Sequence, residues 1–108
     1  MVTFSLSDFS GYLVKKGGGR SPFGRKNWKK RWFCLQGTNL TYKKSFKSKK
    51  VLGSIELPAV TSLSTCDSDE HRFEIVTPGR TYVIHARDTA MKRAWMCKLR
   101  TLTTGSAT

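Results

Sequence analysis

The chain has 108 residues, 38% of them hydrophobic and 11% aromatic, enough for one hydrophobic core and too few for two. Twenty Lys and Arg against seven Asp and Glu give a net charge of +13, which points to a polyanionic partner: an anionic membrane, a phosphorylated ligand or nucleic acid. No apolar run approaches the ~18 residues of a membrane span and no secretory leader is evident. Cys34, Cys66 and Cys97 form neither a C-x-x-C pair nor a zinc pattern with His71 and His85, so reduced cytosolic thiols are expected and no metal or other cofactor is implied.

The charge is unevenly placed. Residues 1–50 hold 13 basic side chains and one acidic one, whereas 51–108 hold seven and six. Along the chain, alternating apolar and polar residues between turn residues predict strands over 9–16, 28–36, 39–44, 51–57, 60–65, 71–77 and 80–86. Gly37-Thr38-Asn39 and Pro78-Gly79 read as tight hairpins, and SFKSKK joins the third and fourth strands as a basic loop. Asp67, Asp69 and Glu70 form an acidic turn that lacks the spacing of a calcium loop.

From Asp88, a candidate N-cap, the period changes. Met91, Trp95, Leu99 and Leu102 recur at helical spacing with Ala94 on the same stripe, while Lys92, Arg93, Lys98 and Arg100 are expected on the surface. An antiparallel β-structure closed by one C-terminal helix follows. The Ser/Thr-rich ends, 1–8 and 103–108, read as flexible boundaries of a domain spanning 9–102.

Strand parity places the charge. Lys29, Arg31, Phe33 and Leu35 share one face of the second strand, and Leu13 and Lys15 share one face of the first. Both faces run from basic at the loop end to apolar at the other, so the cations collect at the mouth of the core rather than inside it. Trp28 and Trp32 have the opposite parity and are expected to support the flank of the loop.

The ordered set SGYLVKKG, NWKKRWFCL, NLTYKK, GSIEL, HRFEIVT, RTYVIHA and a helix with Trp95 at its middle resembles the pleckstrin-homology (PH) domain family over roughly residues 9–102. The resemblance implies a partly open barrel of two orthogonal antiparallel sheets, seven strands in all, capped by the helix. In its first half the chain is similar to the PH domains of class X myosin tails. It also resembles the subset that binds 3-phosphorylated inositides, whose pattern of basic residues is filled by Lys15, Lys29 and Arg31, with Tyr42 as a phosphate-bonding tyrosine. Leu52 stands where some tight binders carry a basic residue, with Lys49 and Lys50 nearby.

These residues imply a phosphoinositide-headgroup site at Lys15, Lys29, Arg31 and Tyr42. Arg31 offers a planar fork for two phosphate oxygens, and the lysines act as adaptable point charges. Lys16, Arg20, Arg25, Lys26, Lys30, Lys49 and Lys50 supply a diffuse field towards anionic lipid. Phe23, beside Pro22 at the loop tip, is a candidate for insertion into the interface, and the backbone of Gly17, Gly18 and Gly19 for approach to a phosphate, although the run is not a nucleotide P-loop.

The expected function is a cytoplasmic, monomeric module that recruits a larger signalling or cytoskeletal protein to membrane, with the plasma membrane first and the 3,4,5-trisphosphate as preferred lipid. The alternative is a protein-interaction PH domain with weak or promiscuous lipid binding. Nucleic-acid binding through the basic half is the lesser alternative, since no RNA-recognition aromatic motif is present. No set of acid, base and nucleophile suggests an enzyme.

Overall fold

The computed structural model describes residues 9–17 and 28–103. Seven antiparallel strands precede one helix: β1 Phe9–Lys16, β2 Trp28–Gln36, β3 Asn39–Lys43, β4 Val51–Glu56, β5 Ser62–Cys66, β6 Asp69–Thr77, β7 Arg80–His85 and α1 Thr89–Arg100. The strand order is β4-β3-β2-β1-β7-β6-β5. The two sheets expected from the sequence are thus halves of one, joined where β1 meets β7 in a ladder of only two pairs, Val14↔His85 and Lys15↔Ile84.

Most strand limits follow the sequence pattern. Gly37 adopts φ +60° in the turn that closes the Gln36↔Asn39 pair, the left-handed conformation that a two-residue hairpin needs at its first central position. Six of the fourteen limits differ by one or two residues, and those around Pro58 and at the start of β6 have identifiable reasons. Pro58 has no N–H to continue a ladder, so the chain leaves β4 at Glu56 and makes a 3-10 turn over Leu57–Ala59 before β5. A bulge between Thr65 and Cys66 pairs Cys66 with Asp69, so β6 begins two residues before the expected His71.

The core lies between the inner face of the sheet and α1. Alternate residues of the strands bury Leu13, Phe33, Leu35, Leu40, Ile55, Phe73, Ile75 and Ile84, and α1 adds Trp95, Met96 and Leu99. Trp95 is the plug, fully buried with Phe9 edge-on at 4.7 Å and Phe33 at 6.4 Å. The helical stripe is broader than expected: Met96 is buried, and Lys92, expected on the surface, is 9% exposed, its aliphatic stem covering apolar surface. Leu102 lies past the last helical turn, where its N–H bonds to Leu99 O at 3.1 Å.

Asp88 caps α1, accepting the Met91 N–H at 2.8 Å on Oδ1. That bond first, then the Arg87 guanidinium, lowers the Asp88 carboxyl from its ordinary value. The three cysteines are free thiols.

Two substitutions test this construction. Trp95→Ala should destabilise the domain by about 3 to 5 kcal/mol, read as a lower urea midpoint. Asp88→Ala should cost about 1 kcal/mol while Asp88→Ser retains most of the stability; equal midpoints for all three would remove the cap from the account.

Candidate anion-binding site

Residue parity and register together build the site. On β1, Lys15 follows Leu13 on the inner face, one step from the loop. On β2, Arg31 precedes Phe33 on the same face, and Leu13 is its partner in register. The antiparallel β1–β7 ladder aligns Lys15 with Ile84, so Arg80, four residues earlier on the same face of β7, lies towards the same mouth. The result is a group of three cations from three strands above the buried Leu13, Phe33 and Ile84.

Lys15 sits deepest, 8% exposed, with Nζ 3.3 Å from Lys16 O and 4.9 Å from the centroid of Tyr42. Burial, then the neighbouring Arg80 and Arg31 guanidiniums, lower its ammonium from the usual 10.5. Arg31 is half-buried and donates from Nη1 to Lys30 O at 3.1 Å. The Arg80 guanidinium lies 4.4 Å from the Tyr82 centroid. No carboxylate pairs with any of the three among the described residues, whereas Arg72, His85 and Arg87 each have one. Converging unpaired cations repel one another in the absence of a ligand and are relieved by an anion.

Tyr42 enters the mouth from β3. Its ring stacks at 5.2 Å on Phe33 and crosses over Gly53, its register partner on β4. A Cβ at Gly53 would lie 2.6 Å from Tyr42 Cζ and closer still to the hydroxyl, so glycine is what lets the ring lie there. Lys29 pairs with Lys15 in register but is exposed at the rim. Lys16, Lys30, Lys49 and Lys50 are also exposed, and Leu52 is 43% exposed beside Gly53. Arg20, Phe23, Arg25 and Lys26 lie outside the described residues.

Arg80 was not among the residues singled out from the sequence. Its signal was present: Arg80, Tyr82 and Ile84 run from basic to apolar on one face, the same pattern that marks Lys15 and Arg31. Elsewhere, Trp32 stacks edge-on with Tyr12 at 4.8 Å and Phe46 at 5.5 Å, and Trp28 packs at 5.2 Å on His85; the loop they were expected to flank lies outside the described residues. Asp69, expected in a solvated turn, accepts the His71 N–H at 3.0 Å and contacts His85 Nε2 at 2.5 Å. No group of three or more metal-ligating side chains occurs among the described residues.

Comparison with known proteins identifies the family. A model of the PH domain family matches residues 8–104, and the chain belongs to that family. It is 32% identical over 90 residues to Ras GTPase-activating protein 3 of Bos taurus, covering 80% of this chain and 11% of that protein. It is 35% identical over 88 residues to a RAC family serine/threonine-protein kinase homolog of Dictyostelium discoideum, covering 80% of this chain and 19% of the kinase. The chain therefore spans under a fifth of the length of these relatives. The C-terminal PH domain of pleckstrin, solved in complex with D-myo-Ins(1,2,3,5,6)P5, superposes with a TM-score of 0.75 at 28% identity, covering 88% of this chain and 93% of that one. These relatives are not class X myosins, so the resemblance of the first half to myosin tails finds no support in them.

Lys15 gives a test with a defined sign. Its folded-state value is lowered, so below that value the native protein carries the full cost of the buried charge. The cost is relieved as pH rises through the lowered value towards 10.5, because the native state then sheds the proton first. Lys15→Met should thus be more stable than the wild type to urea at pH 7, with the difference shrinking above the lowered value. A difference independent of pH would remove the charge from the explanation.

Proposed function

We propose that this PH domain binds a phosphoinositide headgroup at the mouth formed by Lys15, Arg31, Tyr42 and Arg80, with Lys29 at the rim, and so recruits a longer protein to membrane. The observation that carries the reading is the convergence of Lys15, Arg31 and Arg80 without a pairing carboxylate among the described residues. A headgroup with several phosphates supplies the missing negative charge, and Arg31 and Arg80 can each take two phosphate oxygens. The inositol pentakisphosphate complex of the related pleckstrin domain supports a densely phosphorylated ring as the ligand class.

The preferred ligand is phosphatidylinositol 3,4,5-trisphosphate, then the 3,4-bisphosphate, then the 4,5-bisphosphate. Three cations meet three phosphates better than two, while Leu52 adds no charge from β4. The exposed lysines around the mouth strengthen attachment to anionic membrane by about 1 kcal/mol each when they lie near its surface, and the expected target is the cytoplasmic face of the plasma membrane. The domain acts by binding as a monomer and performs no chemistry; any catalytic activity belongs to other parts of the longer protein, as the names of its relatives suggest.

A vesicle panel carrying each phosphoinositide isomer in turn should rank the trisphosphate first. Arg31→Ala and Arg80→Ala should each weaken that binding roughly ten- to hundredfold, the effect of losing a charge-assisted contact, without lowering the urea midpoint. Gly53→Ala should also weaken it, by displacing Tyr42. Equal binding to all isomers, unchanged in Arg31→Ala, would refute the assignment.

A further inference from the structure

A second concavity lies along the opposite side of β1. It has a volume of about 940 Å³ and follows the strand from Gly11 to Lys16. Its origin is the short β1–β7 ladder: only Val14 and Lys15 pair with β7, so at Gly11–Leu13 the strand has no partner on that side among the described residues. Val14, Ala86 and Met91 give the groove an apolar floor.

The walls are basic. Lys16, Lys30, Arg72 and Arg87 line the groove with one carboxylate, Asp69, which is already engaged by the His71 N–H and His85 Nε2. Arg72 and Arg87 are also paired, with Glu74 and Asp88 at 3.4 and 3.2 Å, which leaves Lys16 and Lys30 without a carboxylate among the described residues. Arg72 is incompletely satisfied. Its Nη2 reaches Glu74 at 3.4 Å, but its Nε is buried without a hydrogen-bond partner among the described residues. A buried guanidinium N–H without an acceptor is uncommon in a folded protein and is satisfied when an acceptor arrives.

We propose that this groove docks an extended peptide segment of a partner protein, bearing acidic side chains beside an apolar anchor. The free edge of β1 offers backbone donors and acceptors to an added chain. The apolar floor takes the anchor, Lys16 and Lys30 take the first carboxylates, and Arg72 and Arg87 take others by sharing their guanidiniums with Glu74 and Asp88. A peptide fits better than a second lipid headgroup because the groove is long, about 17 Å for the five-residue rise, and runs from the mouth towards α1. With a headgroup in the mouth, its Ala86 and Met91 end points away from the bilayer. That orientation rests on the headgroup reading; the groove itself does not. Mouth and groove use alternate residues of the same strands, Lys15 and Arg31 against Val14, Lys16 and Lys30, so both can be filled together.

The probe is a phage-displayed library of random decapeptides selected on the immobilised domain. Recovered peptides should be rich in Asp and Glu around an aliphatic residue and should shift backbone amides of Gly11 to Lys16, Arg72 and His85 to Arg87 in nitrogen-15 spectra. They should bind about tenfold more weakly to Arg87→Glu and Arg72→Gln, yet equally well with saturating inositol hexakisphosphate. Arg87→Glu keeps the test valid if Arg72→Gln misfolds, since the Arg87 side chain is 81% exposed. Recovery of no acidic consensus, shifts elsewhere, or displacement by inositol hexakisphosphate would overturn the proposal. So would vesicles of phosphatidylcholine and phosphatidylserine that shift the same amides and lose binding in Arg87→Glu, which would make the groove a second lipid site. Inositol hexakisphosphate binding to the mouth is scored separately, so failure of the headgroup reading leaves the peptide result standing and the converse holds.

Discussion

Three cations held together without a counter-charge among the described residues are the constraint on which the mouth of this domain depends. Lys15, Arg31 and Arg80 come from three strands, and burial first, then the two neighbouring guanidiniums, lower the ammonium of Lys15 from its ordinary value. Nothing local to any one strand enforces the convergence. It is imposed by the pairing of β1 with β2 and with β7, and those pairings are stabilised by the core beneath, where Phe33, Ile84 and Trp95 are fully buried. Apolar burial of about 1.5 to 3 kcal/mol per large side chain offsets the repulsion above it. The domain is accordingly less stable than its core alone would permit, and the difference is available to an anionic ligand.

β1 is the strand that organises both faces. It joins the two halves of the sheet through two residue pairs, and its inner parity supplies Leu13 to the core and Lys15 to the mouth. Its outer parity supplies Tyr12, Val14 and Lys16. Tyr12 links to the basic β3–β4 loop by accepting the Phe46 N–H at 3.2 Å, and the Lys30 ammonium lies 4.6 Å from its ring. The loop is closed on itself by Ser48, whose N–H donates to Ser45 O and whose hydroxyl accepts the Ser45 N–H. The backbone of the loop that carries Lys44 and Lys47 is therefore braced, while the lysine side chains themselves are exposed.

Much of this was legible in the sequence because it depends on short periods. Alternation of two gives the strands and the basic-to-apolar gradient on WKKRWFCL, the change to helical period gives α1, and Asp88 marks its start. What escaped depends on distant pairing. Arg80 carries the same gradient on RTYVI, but its membership of the site requires knowing that Ile84 lies opposite Lys15. The Asp69–His85 contact joins residues that one hairpin separates, and the bulge at Cys66 that brings Asp69 into β6 has no local signature. Lys92 was assigned to the surface by its charge, although its position one turn before Met96 places its stem against the core.

The same distinction separates the mouth from the groove. At Lys15 and Arg31 the mouth is marked by a cation at the loop end of an inner face, and only Arg80 needs the Lys15↔Ile84 register as well. The groove is defined by where pairing stops. β1 could continue along β7 below Val14, but β7 ends at His85 and the chain turns through Ala86 and Arg87 to the Asp88 cap, drawing it away from Gly11–Leu13. The position of a helix cap thus opens the side of a strand, and the charges that line the opening come from Lys16, Lys30, Arg72 and Arg87 on segments that are remote in sequence.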